Sequence, residues 1–160
     1  MKTAREYKDS LRDRNIKVYL KGELLDPKTL IDHPFVRGHV NSAAMTYALA
    51  STKEYEDLMT VVSPYTGTRV NRFTHIHQST EDLIKKVKMQ RLCGQKTAAC
   101  FQRCVGMDAF NALFSTTYEC DKAHGTNYHE NFVKFMKYAA EADLTVDGAM
   151  TDPKGDRSLA

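Results

Sequence analysis

The sequence lacks several features that would assign it to a class of protein at once. Trp is absent, and neither charge sign dominates, because 23 Lys and Arg stand against 20 Asp and Glu for a formal charge of +3. Scattered charges of both signs argue against a nucleic-acid surface. No apolar run approaches the roughly 20 residues that cross a bilayer, and the charged start, Met1 to Ser10, lacks the apolar stretch of a signal peptide. We therefore expect a cytoplasmic protein that binds neither nucleic acid nor a membrane.

The residues that are present suit one globular domain. Apolar residues make up 42% of the chain and charged residues 27%, which is close to ordinary globular composition and far from that of disordered proteins. Seven Phe and eight Tyr supply bulky core side chains. Without a secretion signal, the cysteines are expected to be reduced thiols that are either buried or bound to metal. The four cysteines are Cys93, Cys100, Cys104 and Cys120.

Capping residues and apolar spacings predict a mostly α fold. Thr3 and Glu6 have the spacing of a capping box, which predicts a helix start. Ser79 and Thr80 stand before two acids and predict another helix start. The predicted helical segments are residues 3–13, 39–51, 53–62, 79–92, 95–122 and 127–142. Residues 18–25 alternate loosely around Lys21-Gly22, which predicts a small hairpin.

The segment from Gln95 to about Lys122 has the longest apolar pattern and predicts a central buried helix. On such a helix Cys100 and Cys104 would share a face, with Cβ atoms about 5 to 6 Å apart. Two thiolates at this spacing can hold one metal centre, but zinc or an iron-sulfur cluster normally needs four protein ligands. The other two ligands would then come from elsewhere. Two packed core thiols are the alternative, because free Cys is among the most buried residue types.

Two further stretches carry charges that suit an anionic ligand. Met150 to Arg157 has turn chemistry, and its Lys154 and Arg157 can face a diphosphate; a solvated surface turn is the alternative. The basic cluster at residues 85–91 either reaches the phosphates of a CoA ester or forms a solvated helix face. His75 and His77 lie in an irregular segment and are assigned no role.

Gln95 to Phe110 and Met150 to Arg157 together resemble the 4-hydroxybutyryl-CoA dehydratases, within the wider family of 4-hydroxyphenylacetate 3-hydroxylase-like flavoproteins. The resemblance covers nearly the whole chain, including Asp32-His33-Pro34, Ala44-Met45-Thr46-Tyr47 and Asn127-Tyr128-His129. It implies the N-terminal helical domain of an acyl-CoA-dehydrogenase-like fold.

The resemblance also implies a division of the chain. Residues 1–145 would form the N-terminal helical domain. Residues 146–160 would begin the flavin-contacting loop and a middle β-domain that is cut short. Because the sequence stops directly after this loop, we expect the isolated chain to be inactive.

Two cofactors, FAD and a 4Fe-4S cluster, are implied by the same resemblance. Cys100 and Cys104 match two of the three cysteines that hold the cluster together with one histidine, and the other ligands would lie beyond Ala160. Gln102 matches a residue near the substrate cavity and is a candidate catalytic residue. The segment that matches the family's first FAD contact consists of Met150, Thr151, Asp152, Pro153, Lys154, Gly155, Asp156 and Arg157.

The implied reaction is the reversible dehydration of 4-hydroxybutyryl-CoA to crotonyl-CoA, with isomerisation of vinylacetyl-CoA. In the family, flavin transiently removes an electron and a proton to give a ketyl radical, while the cluster acts as a Lewis acid on the leaving hydroxyl. The resemblance implies a homotetramer that takes a CoA-ester substrate.

Two alternatives stay open. A flavin-dependent monooxygenase of phenols, from the wider family, would share the flavin segment but would need no cluster, and Cys100 and Cys104 argue against it. A non-catalytic helical module would instead associate through apolar faces that truncation leaves uncovered.

Overall fold

The computed structural model describes residues 1–148, 155–156 and 158. Within these residues the chain forms six α-helices and two short antiparallel hairpins, which confirms the mostly α fold class. None of the helices in this described part is long and apolar enough to cross a membrane.

The helices follow one another with few strands between them. They are α1 (Ala4–Arg12), α2 (Arg37–Ala50), α3 (Glu56–Met59), α4 (Thr80–Thr97), α5 (Cys104–His124) and α6 (Tyr128–Glu141). The strands are β1 (Tyr19–Leu20), β2 (Glu23–Leu24), β3 (Thr60–Val62) and β4 (Arg69–Asn71). Short 3-10 turns lie at Leu30–Asp32, Lys53–Tyr55 and Arg72–Thr74.

The two helix starts predicted from caps are confirmed. The Thr3 hydroxyl accepts a hydrogen bond from the Glu6 N–H at 3.2 Å, and the Glu6 carboxylate accepts one from the Thr3 N–H at 2.7 Å. At α4 the Ser79 hydroxyl accepts the Asp82 N–H at 3.2 Å. In each case a side chain satisfies an N–H group that has no partner within its helix.

Of the two hairpins, the sequence predicted one. The small hairpin near residues 18–25 is present, with Tyr19 paired to Leu24. The second hairpin pairs β3 with β4 in the register Thr60 to Asn71. It overturns the helix prediction for residues 60–62, and these three β-branched residues suit a strand better than a helix.

Three groups of buried apolar side chains form the core. The first lies between α1 and α2, where the Tyr7 and Tyr47 rings stack with centroids 4.6 Å apart. The second surrounds Met89 of α4 and includes Met107 of α5. The third joins α5 and α6 around Phe110. The first turns of α5 therefore connect the second and third groups.

The helix predicted over residues 95–122 is interrupted. Helix α4 continues through Gly94 and ends at Thr97, and the next residue, Ala98, has a left-handed φ of 50°. Residues 98–103 form a loop before α5 begins. The prediction of a single long helix was therefore wrong for residues 98–103.

Contacts with Phe73 explain the interruption. The Phe101 ring lies 5.8 Å from the Phe73 ring, centroid to centroid, and the Arg103 guanidinium carbon lies 4.6 Å from the same Phe73 ring. On an α-helix, side chains two residues apart point about 200° apart around the axis. A continuous helix therefore cannot bring both side chains to one ring, whereas the loop does.

Candidate cofactor site

Cys100 and Cys104, the cysteine pair, lie side by side although they do not share a helix. Cys100 is exposed in the loop, and Cys104 is half-buried at the first position of α5. The Cys100 thiol is close enough to raise the pKa of Cys104, while the backbone N–H groups of Cys104 and Val105 act to lower it. The free N–H groups of a first helical turn stabilise negative charge, including that of a thiolate. The start of α5 is therefore a paired sulfur donor site.

The other two cysteines, Cys93 and Cys120, lie apart from this pair and are packing residues. Cys93 is fully buried in the core, and burial raises the pKa of its thiol to about 12. Cys120 is half-buried toward the far end of α5, with its sulfur 3.9 Å from the Thr126 hydroxyl. Burial, followed by the neighbouring Cys100 thiol, raises the pKa of Cys104 as well. Metal binding at Cys104 would therefore displace a proton.

Gln102, the candidate catalytic residue, lies beside the cysteine pair. Its backbone has a left-handed φ of 60°. Its side-chain nitrogen lies 3.3 Å from Nδ1 of His39 on α2 and 3.4 Å from the Cys100 carbonyl oxygen. The loop thus brings Cys100, Gln102 and Cys104 together. Sequence reasoning missed His39, because a single histidine on a helix has no ligand spacing to reveal it.

The donor set at this loop is incomplete for a metal cluster. Among the described residues, no three His, Cys, Asp or Glu side chains lie together as metal ligands would. The cysteine pair fits two of the four ligand positions of an iron-sulfur cluster, since its sulfurs are adjacent and one of them is exposed.

Arg103 anchors the loop, and sequence reasoning did not single it out. Its side chain is only 1% exposed. The guanidinium carbon lies 4.4 Å from the Tyr47 ring centroid and 4.6 Å from that of Phe73. The guanidinium donates hydrogen bonds to the Thr46 hydroxyl and the Leu144 carbonyl, each at 3.2 Å.

Most of the predicted flavin segment, Met150 to Arg157, cannot be placed against this site. Gly155 and Asp156 are described, and both are exposed. The other residues of the prediction lie outside the described part of the chain: Met150, Thr151, Asp152, Pro153, Lys154 and Arg157.

Residues 144–148, the approach segment, lead toward the flavin segment and pass over the start of α5. A Cβ atom on Gly106 would overlap the backbone carbonyl of Val146, so only glycine fits there without a shift. A Cβ atom on Gly148 would likewise press on the Val105 side chain. The approach segment and the cysteine pair therefore lie at the same end of α5.

The basic cluster at residues 85–91 is partly neutralised. Lys85 contacts the Asp57 carboxylate at 2.8 Å, and Lys86 pairs with the Asp108 carboxylate. Lys88 lies in an open groove on the outer face of α4. These contacts favour the solvated helix face over a phosphate site for two of the four cations.

A second buried polar group was also missed by sequence reasoning. The Arg72 guanidinium lies 2.9 Å from one oxygen of the Asp82 carboxylate, and His75 Nε2 lies 3.2 Å from the other. Burial lowers the pKa of His75. Although burial opposes it, hydrogen bonds from the Gln78 N–H and from His75 hold the pKa of Asp82 below its usual value. This network ties the start of α4 to the turn after β4.

Known proteins resemble the chain over nearly all of its length. The family model described as 4-hydroxyphenylacetate 3-hydroxylase N terminal matches residues 3–160. The 4-hydroxybutyryl-CoA dehydratase/vinylacetyl-CoA-Delta-isomerase of Clostridium aminobutyricum is 61% identical over 99% of this chain and 32% of its own length. The 4-hydroxyphenylacetate 3-monooxygenase oxygenase component of Thermus thermophilus is 26% identical over 98% of this chain and 31% of its own length.

Solved structures agree with these matches. The oxygen-tolerant archaeal 4-hydroxybutyryl-CoA dehydratase from N. maritimus has a TM-score of 0.89 and 52% identity, over 98% of this chain and 31% of that one. The HpaB oxygenase component of 4-hydroxyphenylacetate 3-monooxygenase has a TM-score of 0.74 at 21% identity, over 100% of this chain and 33% of that one, which shows a shared fold alone. The chain spans about a third of the length of these relatives. It belongs to the 4-hydroxyphenylacetate 3-hydroxylase N-terminal family.

Proposed function

We propose that the chain is the N-terminal part of a 4-hydroxybutyryl-CoA dehydratase. The whole enzyme would reversibly dehydrate 4-hydroxybutyryl-CoA to crotonyl-CoA and isomerise vinylacetyl-CoA. The observation that carries the proposal is the paired sulfur donor site at the start of α5, in a chain 61% identical to such an enzyme. The family resemblance further suggests a homotetramer.

Cys100 and Cys104 are the proposed ligands of a 4Fe-4S cluster. An iron-sulfur cluster with an open iron supplies a Lewis acid that polarises the hydroxyl of a substrate. The exposed Cys100 and the half-buried Cys104 would each supply one thiolate ligand, and the N–H groups at the start of α5 would offset their negative charge. The remaining ligands would come from polypeptide that corresponds to the other two-thirds of the relatives.

FAD is the second proposed cofactor, and it would supply the radical chemistry that side chains cannot. Met150 to Arg157 are the proposed contacts. Support comes from the HpaB oxygenase component complexed with FAD and 4-hydroxyphenylacetate, which shares the fold with a TM-score of 0.70. The course of residues 144–148 over α5 would bring the flavin segment toward the cysteine pair. The division into a helical domain, 1–145, and a flavin-contacting start, 146–160, is proposed on the same ground.

Gln102 is proposed to contact the CoA-ester substrate. Its carboxamide lies at the half-exposed surface beside the Cys100 carbonyl, and a carboxamide offers both a donor and an acceptor. In this position it can orient a substrate hydroxyl or carbonyl relative to the cysteine pair.

Iron binding by matched cysteine variants tests the proposal. Under anaerobic conditions the chain is combined with the remaining two-thirds of the Clostridium aminobutyricum enzyme, and iron, sulfide and crotonyl-CoA formation are measured. Cys100→Ser and Cys104→Ser should each remove the cluster. Cys120→Ser, another half-buried thiol on α5, is the control and should leave the iron content unchanged.

Two results would contradict the proposal. One is unchanged iron content in Cys100→Ser and Cys104→Ser. The other is turnover of a phenol with reduced flavin and oxygen, but of no CoA ester, which would favour a monooxygenase.

A further inference from the structure

We infer that Arg103 is a positioning residue that holds the cysteine pair and the approach segment in one fixed arrangement. The inference rests on the proposed function only for what the two sulfurs bind. The arrangement itself follows from the contacts of Arg103, which precedes Cys104 directly and reaches residues 143 and 144.

The burial of Arg103 shows that its position is strongly constrained. Moving a charged group out of water costs several kcal/mol unless partners compensate. Arg103 has a carboxylate close by, since its Nη2 lies 3.6 Å from Asp143 Oδ1, and both side chains are at most 2% exposed. The Tyr47 and Phe73 rings, with centroids 4.4 and 4.6 Å from the guanidinium carbon, add cation–π attraction. The guanidinium is therefore held from several directions at once.

On the cysteine side, Arg103 and Phe101 act as two anchors around Gln102. Both anchors are buried, at 1% and 7% exposure. The residue between them has a left-handed φ of 60°, a conformation that costs a non-glycine residue on the order of 1 kcal/mol or more. The anchors sustain this conformation, and Gln102 is thereby held at the surface beside Cys100.

On the other side, Arg103 holds the start of the approach segment. Its Nη2 donates to the Leu144 carbonyl at 3.2 Å. The Tyr47 hydroxyl, whose ring stacks on the same guanidinium, donates to the Asp143 carbonyl at 3.0 Å. Asp143 has a left-handed φ of 44°, and its other carboxylate oxygen accepts the Lys2 N–H at 2.8 Å. One guanidinium thus fixes two backbone segments, each through a strained residue.

Lysine cannot replace this side chain. A planar guanidinium can contact two rings while its N–H groups donate to separate acceptors, whereas an ammonium is a compact point charge. Arg103→Lys should therefore keep the charge but loosen the geometry, and Arg103→Met should lose both.

Cross-linking of the two thiols in the full chain tests the inference. Dibromobimane becomes strongly fluorescent once it has bridged two neighbouring thiols. Its second reaction step depends on how the thiols are held, so Arg103→Met should slow that step about tenfold, and Arg103→Lys should give an intermediate rate. All variants carry Cys120→Ser so that only the cysteine pair is bridged at the surface.

A control separates positioning from general loss of stability. Asp121, far from the loop, accepts hydrogen bonds from the N–H groups of Tyr128 and His129 at the start of α6. Asp121→Ala should lower the melting temperature without changing the cross-linking rate below the transition. Equal slowing by Asp121→Ala, or an unchanged rate in Arg103→Met, would overturn the inference.

If Arg103→Met does not fold, Thr46→Val takes its place. This substitution removes the Arg103 hydrogen bond to the Thr46 hydroxyl while the shape is nearly kept, and it should slow cross-linking to a smaller degree. An unchanged rate there would count against the inference. The proposed function is tested separately, by the iron content of the cysteine variants. That result does not depend on the cross-linking rate.

Discussion

The two buried arginines, Arg72 and Arg103, offset the cost of burying a charge with different kinds of partner. Arg72 donates four hydrogen bonds, one to the Asp82 carboxylate and three to backbone carbonyl groups. Arg103 donates two and otherwise lies against aromatic rings. Among the described residues, its Nε and the nearer oxygen of Asp143 have no hydrogen-bond partner. Each of the three nitrogens of the Arg72 guanidinium thus donates a hydrogen bond, whereas Nε of Arg103 does not.

Residues with a strained backbone also lie mostly near Arg103 and not near Arg72. Non-glycine residues with positive φ are Lys21, Ala98, Gln102 and Asp143 in the described part of the chain. The last three belong to the loop around Arg103 or to its partner. Strain and unpaired polar atoms persist where the surrounding structure holds them, commonly at functional sites. We conclude that the contacts of Arg72 mainly stabilise the fold. The contacts of Arg103 stabilise it less, but they hold the loop in one defined geometry.

Arg72→Met should cause the largest loss of stability. It removes the hydrogen bonds that Arg72 donates to one oxygen of the Asp82 carboxylate and to three backbone carbonyl groups, so the free energy of unfolding should fall by about 3–5 kcal/mol. Urea unfolding followed by circular dichroism measures the change. Arg69→Met is the control, since the Arg69 pair with Glu56 is half-exposed at 3.5 Å and should contribute about 1 kcal/mol or less. Similar losses in the two variants would contradict the role given to Arg72.

Gly106→Ala should have the next largest effect. The new methyl group overlaps the Val146 carbonyl, and forced overpacking costs about 1–3 kcal/mol. The control is Gly94→Ala, because Gly94 lies within α4 with open space around it and should gain up to about 1 kcal/mol from helix propensity. Urea unfolding midpoints compare the two. A stable Gly106→Ala variant would show that the approach segment does not press on α5.

Double-mutant cycles should give different coupling energies between each arginine and its carboxylate partner. The Arg72–Asp82 pair is a direct hydrogen bond at 2.9 Å, whereas the Arg103–Asp143 contact is 3.6 Å. We expect a coupling energy of about 2–3 kcal/mol for the first pair and about 1 kcal/mol for the second. Arg72→Met with Asp82→Asn and Arg103→Met with Asp143→Asn complete the cycles in urea unfolding. Equal coupling energies would remove the distinction.

The smallest expected effect is a pH dependence of stability that arises from His75, in the network around Arg72. Burial lowers the pKa of His75 in the folded protein, so below the ordinary value of 6.5 the unfolded chain binds more protons. Stability should thus be full above about pH 7 and fall as pH drops below 6.5, by at most about 1.4 kcal/mol per pH unit for one proton. His75→Gln should flatten this slope, measured from urea midpoints at several pH values. An unchanged slope would assign the effect to His77, whose pKa burial also lowers.

Sequence reasoning succeeded where the determinant was local. The capping residues Thr3 and Ser79 predicted helix starts because their partners lie three residues away. The interruption after α4 was missed because it depends on Phe73, which lies 30 positions before Arg103 in the sequence (103 − 73). The cysteine pair was predicted to be adjacent, and it is adjacent, but through a loop and not along a helix.

The two arginines were missed for a general reason. Arginine is almost never fully buried unless it is paired, so its place in a sequence gives no sign of a core position. Arg72 and Arg103 both depend on partners from other elements. Sequence similarity identified the family correctly, but it did not reveal which side chains hold the loop in place.

The contact between Lys2 and Asp143 has a consequence for how the chain acquires its structure. It joins positions 141 residues apart, and contacts of such long sequence separation form late and slow folding. During synthesis α1 can pack on α2 early, but Lys2 and Tyr47 lack their partner Asp143 until the chain beyond α6 has been made, so this face of the α1–α2 pair stays uncovered until then. Chaperone binding to nascent chains should therefore persist until the ribosome has passed residue 143, and a chain cut before that position should be a preferred target of proteases.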